Sequence, residues 1–155
     1  MTDTRGAGVT APGATIWLAE TDADIARCFP VMFELRPHLA AATFVPLVRA
    51  MQKEGYLLAA LEEEGEVRAV AGFRINVILA RGKNLYVDDL VTSETHRSHA
   101  CGATLLQWLV QYARDADCDT CDLDSGVHRF RAHRFYFREG MHISSYHFTL
   151  SLRDA

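Results

Sequence analysis

Arg97-Ser98-His99-Ala100-Cys101-Gly102-Ala103-Thr104-Leu105-Leu106 decides how this chain folds, because it sets a loop of small residues between a strand-like run and an amphipathic helix. On its N-terminal side, Leu85-Tyr86-Val87-Asp88-Asp89-Leu90-Val91-Thr92 is rich in β-branched and aromatic residues and is bounded by polar turn residues, which predicts a strand. On its C-terminal side, Leu105, Leu106, Leu109, Tyr112, Ala113 and Ala116 recur at helical spacing, with Gln107, Gln111 and Arg114 off that stripe. A helix entered from such a loop leaves its first backbone N–H groups without carbonyl partners and points a positive dipole end into the loop. That arrangement holds phosphate oxygens, and small side chains let a ligand come close to the backbone.

The bulk properties narrow the class. A chain of 155 residues, 49% hydrophobic and 23% charged, has the composition of one globular domain with one core. The expected organisation is a tail over residues 1–13 and a single domain over 14–155. No apolar run approaches the roughly 20 residues that span a bilayer, so no membrane is expected. The net charge of −4, without a basic tract, leaves nucleic acid or anionic lipid nothing to grip. The first residues lack the apolar stretch of a secretory signal, and Cys28, Cys101, Cys118 and Cys121 are scattered, so they read as free thiols of a cytoplasmic protein.

Along the chain, Ala14 to Ala19 reads as a strand, and Thr21 or Asp22 then offers a cap for a helix carrying Ile25, Phe29, Met32, Phe33 and Leu35. Pro30 and Pro37 predict a bent or divided helical region, which continues after Thr43 to a stop at Gly55. Tyr56 to Leu61 and Val67 to Ile75 flank an acidic turn and form a hairpin. The helix of the small-residue loop ends near Asp115 to Asp117. Thr120 to Asp124 is a short strand, His128 to Glu139 a helix ending at Gly140, and His142 to Leu152 alternates apolar and polar residues as a further strand. The whole reads as a mixed α/β fold.

Three blocks of this sequence resemble the motifs of the GNAT superfamily of N-acetyltransferases, in the family's order. Arg97, Ala100 and Gly102 match the signature that cradles the diphosphate of acetyl-CoA, with Ala100 where glycine is usual. Asp88-Asp89-Leu90-Val91-Thr92 resembles the central strand that lines the thioester, and Ala132 to Met141 resembles the helix end that carries a tyrosine. The resemblance implies the GNAT acyl-CoA N-acyltransferase fold, a mixed, mostly antiparallel sheet with helices on both faces. It also implies transfer of an acetyl group from acetyl-CoA directly to a primary amine of a small molecule or a protein. A non-catalytic acetyl-CoA-binding module is the alternative, and the C-terminal alternation suits pairing across a homodimer.

The resemblance carries roles onto particular residues. The main chain of Leu90, Val91 and Thr92 would pair with the pantetheine arm, and Arg97, Ser98, His99, Ala100, Cys101, Gly102, Ala103 and Thr104 would surround the diphosphate. Ser125 would bond the pantetheine, although capping the next helix explains it equally well. Tyr136 is the expected proton donor to the leaving thiolate, since a phenol stays protonated at neutral pH. Against that stands a plain place in the aromatic core with Phe130, Phe135 and Phe137.

The resemblance also implies Asp88 as the base, acting through water, with partial burial raising its pKa. Asp88 and Asp89 are adjacent in a strand, where successive side chains point to opposite faces, so at most one is expected to face a given pocket. An ion pair of either acid with Arg74 or Arg129 is the competing reading. The acceptor is expected against the first helical region, where Glu34 suits a cation and Arg36 a carboxylate, and both also suit a solvated helix surface. Cys118 and Cys121 followed by His128 and His133 have the ligand types of a zinc site, but the gap between the pairs is short and no metal is expected. Cys101 beside His99 at a helix start has the setting of a nucleophile, but in the resembling family that position is a plain apolar residue under the phosphates.

Overall fold

The computed structural model describes residues 13–95 and 100–154. In chain order the elements are β1 (Ala14–Leu18), α1 (Asp22–Leu35), α2 (Ala41–Gln52), β2 (Leu57–Glu63), β3 (Glu66–Ile78), β4 (Gly82–Thr92), α3 (Cys101–Asp115), β5 (Thr120–Leu123) and α4 (Phe130–Arg138). They fall into two compact units, one ending at Leu123 and one beginning at Asp124.

The first unit holds one sheet in the order β1-β2-β3-β4-β5, antiparallel throughout except for the parallel pair β4/β5. Side chains alternate across a strand, so each strand feeds two cores. On one face Leu58, Ala60, Val70 and Val91 pack with Ile25, Cys28, Met32, Phe44 and Val48 of α1 and α2. On the other, the Phe73 ring meets Trp108 and Tyr112 of α3 edge-on, with centroids 6.1 and 5.2 Å apart. The buried stripe of α3, Cys101, Leu105, Leu106, Leu109 and Ala113, is the helical periodicity of the sequence made physical. Burying each such leucine or phenylalanine fully contributes about 1.5–3 kcal/mol.

The prolines divide the helical region at one place only. Pro30 sits inside α1 without ending it, and the break falls at Arg36 to Ala40, around Pro37. A second proline, Pro46, lies inside α2. α1 opens on a capping box: the Thr21 hydroxyl accepts from the Asp24 amide, and the Asp24 carboxylate accepts from the Thr21 amide, both at 3.1 Å.

In the second unit α4 begins at Phe130, two residues later than the sequence predicts, because Gly126 and His128 carbonyls take the Arg129 and Phe130 amides in turns. The strand expected over His142 to Leu152 is a larger departure. Residues 142–152 form no helix or strand, and Tyr146, Phe148, Leu150 and Leu152 stand 80–93% exposed. Alternation gives a segment two faces, but only a neighbour's backbone makes it a strand.

Candidate active site

The site begins with an irregularity in the sheet. Gly72 of β3 lies opposite Asp89 and Phe73 opposite Val87, so Asp88 is the extra residue of a β-bulge. β5 ends at Leu123, opposite Val87, while β4 runs on to Thr92. From Asp88 to Thr92, β4 therefore has a strand neighbour on its β3 side alone among the described residues. Leu90, Val91 and Thr92 thus have one backbone edge with no described strand beside it.

The bulge also corrects the expectation that only one of the paired acids faces a given pocket. That expectation assumes regular alternation, and a bulge turns consecutive side chains toward one side. Asp89 accepts from the Tyr56 hydroxyl at 2.8 Å and from Arg36 Nε at 3.0 Å. Asp88 accepts from Arg74 Nε at 2.9 Å, and the Arg74 guanidinium lies 5.5 Å from the centre of the same Tyr56 ring. Both carboxylates therefore belong to one cluster built around Tyr56. Gly72 makes room for it, because a Cβ there would overlap the Tyr56 hydroxyl and Cζ.

Burial pushes the Asp88 carboxyl above its ordinary range, with the Asp89 charge adding to the shift, while the Arg74 hydrogen bond and charge hold it back. This is the direction a general base needs, and it is reached with the Arg74 ion pair in place. The Tyr56 phenol is raised well above its ordinary value by burial and by Asp89, so it is a fixed donor. Arg36, the residue that ends α1, also donates to the Asp88 carbonyl at 3.0 Å, which ties the turn after α1 to the bulge. Glu34 accepts from the Glu94 amide at 2.9 Å. Both residues expected to meet the acceptor thus bond to β4 or the turn after it. Tyr56 and Gly72 escape a reading of the sequence, where one passes for a core aromatic and the other for a weak spot in a strand.

At the other end of β4, α3 starts from Ala100, whose φ of 57° and ψ of 17° place it in the left-handed region where glycine is at ease. Its first helical hydrogen bond is Thr104 N to the Ala100 carbonyl, so the amides of Cys101, Gly102 and Ala103 lie ahead of the ladder. No side chain caps them among the described residues, and no acid stands in the first turn. Arg97, Ser98 and His99 lie outside the described residues. Cys101 is buried, and burial aided by the Glu63 charge raises its thiol, the direction opposite to the one that activates a nucleophile.

Tyr136 and Ser125 belong to the second unit. Tyr136 lies on α4 with its ring 5.3 Å from that of Phe135, and burial raises its phenol while the Arg129 charge opposes the shift. A raised phenol remains a proton donor at neutral pH. The Ser125 hydroxyl oxygen is buried without a hydrogen-bond partner, so the helix-capping alternative does not use it. No group of three His, Cys, Asp or Glu placed to hold a metal ion occurs among the described residues. Of the zinc candidates, Cys121 is pushed up to about 11 by burial, and His133 Nε2 bonds the Gly126 carbonyl at 2.8 Å.

Among the described residues, an acid-bearing bulge, a strand edge without a neighbour and a helix start without a side-chain cap thus follow one another along the chain. Residues 18–141 match the model of the acetyltransferase (GNAT) family, and the chain belongs to that family. It is similar to the uncharacterized N-acetyltransferase YhdJ of Bacillus subtilis, at 39% identity over 79% of this chain and 88% of that protein. It is also similar to the aminoalkylphosphonate N-acetyltransferase of Salmonella typhimurium, at 36% identity over 43% of each chain. Among solved structures, AAC(6')-Iy in complex with the bisubstrate analog CoA-S-monomethyl-acetylneamine shares the fold, with a TM-score of 0.76 and 10% identity over 91% of this chain and 99% of that one.

Proposed function

We propose that this protein transfers the acetyl group of acetyl-CoA directly to a primary amine, of a small molecule or of a protein, without a covalent enzyme intermediate. The observation that carries the reading is the open edge of β4 from Asp88 to Thr92, with a half-buried carboxylate on its bulge. The backbone of Leu90, Val91 and Thr92 takes the pantetheine arm as an added strand. The amides of Cys101, Gly102 and Ala103 receive the diphosphate, together with Ala100, Thr104, Arg97, Ser98 and His99, and the CoA analog bound to AAC(6')-Iy supports acetyl-CoA as the donor. Ser125 Oγ bonds the pantetheine. The family match crosses the junction after Leu123, which supports one transferase domain made of both units. Four free cysteines are in keeping with work in the cytoplasm.

In the reaction an amine must lose its proton to attack, the carbonyl oxygen gathers negative charge, and the departing sulfur needs a proton. Asp88, ionised, accepts the amine proton through a water. A backbone N–H near Leu90 or Val91 meets the oxyanion, and Tyr136 protonates the thiolate. Asp89 and Arg36 hold the bulge in the geometry that aims Asp88, while Glu34 fixes the end of β4 beside the acceptor.

Thiol release from acetyl-CoA tests this against a panel of diamines, aminoglycosides, aminoalkylphosphonates, amino acids and lysine peptides. Asp88→Asn and Tyr136→Phe are each expected to lower kcat roughly 100-fold or more, the usual scale for losing a general base or acid. Calorimetric binding of acetyl-CoA should survive both changes. Tight binding without turnover on any amine would leave a binding module, and absence of binding would sink the reading.

A further inference from the structure

Past Gly72, the sheet face that carries α1 and α2 turns polar. Register sets Arg74 of β3, Tyr86 of β4 and Asp122 of β5 side by side, with Asn76, Asn84 and Thr120 as the next row toward the β3/β4 turn. The alternate positions, Phe73, Val87 and Leu123 with Ile75, Leu85 and Cys121, are apolar and belong to the face of α3. The Arg74–Asp88 bond brings the Asp88 carboxylate onto the polar face.

Asp122 differs from the other acids of this face. Asp88 and Asp89 are each paired with an arginine, Arg74 and Arg36. The partners of Asp122 among the described residues are neutral: the Thr120 hydroxyl at 2.6 Å and Asn84 Nδ2 at 3.0 Å, both donating to Oδ2. They fix the carboxylate, leave its charge without a cation and leave Oδ1 to a ligand. Asn84 is 3% exposed, and its Oδ1 is buried without a hydrogen-bond partner, on the same amide whose nitrogen reaches Asp122. A buried acceptor without a donor is costly, and a negative charge beside it selects a cation. An alkylammonium brings one positive charge and three N–H donors, enough to meet Asp122 Oδ1 and Asn84 Oδ1 together.

We propose that Asp122 and Asn84 seat the second ammonium of a short aliphatic diamine whose other nitrogen is the one acetylated beside Asp88, which makes Asp122 a specificity-determining residue. The inference deepens the transferase reading and rests on it. Two residues along β4 at ~3.3 Å each and one strand spacing of ~4.8 Å put Asp122 roughly 8 Å from Asp88, a separation suited to a short, extended diamine. A monoamine leaves the Asp122–Asn84 pair unmet. An acceptor with a carboxylate in place of the second ammonium meets a like charge there.

The experiment compares thiol release from acetyl-CoA with putrescine, n-butylamine and γ-aminobutyrate, which share one chain length, and adds calorimetric titration of putrescine into the same full-length protein. kcat/KM for putrescine is expected to exceed that for butylamine about 10-fold or more, the scale of one charged hydrogen bond, with γ-aminobutyrate the poorest. Asp122→Asn should remove that preference, chiefly through KM, and weaken putrescine binding by a similar factor, with retained acetyl-CoA binding as the check on folding. Asp122→Glu keeps the charge and reaches further, so it should shift the preference from putrescine toward the one-carbon-shorter diamine, and it carries the test if Asp122→Asn fails to fold. Equal rates for putrescine and butylamine, or a preference untouched by either change, would overturn the seat and leave a transferase with another acceptor. Putrescine binding that depends on Asp122 without turnover on any amine would support the seat and overturn the transfer reading.

Discussion

A hydrogen atom is all that fits on the Cα of Gly72. A methyl group there would press into the Tyr56 hydroxyl and ring and lie 2.6 Å from Asp89 Oδ2, and neither partner is free to retreat, since each is bonded to the other. Gly72→Ala is expected to cost about 1–3 kcal/mol, the range for overpacking a core, measurable as a fall in the urea midpoint. An unchanged midpoint would mean that the Tyr56–Asp89 pair moves aside freely. A second prediction concerns Asp88. Its folded carboxyl titrates above the ordinary value, so the stability it lends is present at low pH and is lost as pH rises from about 3.8 toward the folded value. In its proposed role as base it would act when ionised, and kcat/KM should then climb through that raised value. Arg74 opposes the shift, so Arg74→Gln should move the acidic limb of the profile to higher pH, whereas a limb that stays put would exclude Asp88 as the group being read.

At the scale of elements, the start of α1 gives the plainest test. Although burial works against it, amide hydrogen bonds from Thr21 and Glu20 and the Thr21 hydroxyl hold the Asp24 carboxyl below its usual range. Thr21→Ala should therefore lower stability by about 1 kcal/mol, readable in thermal melts near neutral pH and reduced as pH falls through the Asp24 titration. That cap was legible in the sequence because it is local: an N-cap residue and its partner lie three positions apart. The stripe of α3 was legible for the same reason. The bulge at Asp88 was not, because it is a property of two strands in register, and its only trace in one strand is a pair of acids among apolar residues. The C-terminal alternation is a pattern of the sequence without a formed strand in the structure, since a strand also takes a neighbour's backbone, which the segment itself does not encode.

For the molecule as a whole, the order of elements, the mixed sheet and its covering on both faces followed from periodicity and turn residues together with the family resemblance. What the chain withheld were contacts between distant positions, such as Tyr56 with Asp89 across 33 residues or Arg36 with Asp89 across 53. Those contacts make the cluster one object, in which a change at any member is felt by the others. The cysteines bring a last consequence. Burial pushes Cys28 up to about 12 and Cys121 up to about 11, and raises Cys101 and Cys118 as well. A disulfide dye reacts with accessible thiolate, so Cys28 and Cys101, buried in the fold, are shielded from it, whereas the partly exposed Cys118 and Cys121 give a background that the coenzyme A freed by the proposed reaction adds to. In one cuvette the dye would count turnovers for as long as the catalyst stays folded, and a late rise in colour would mark its denaturation.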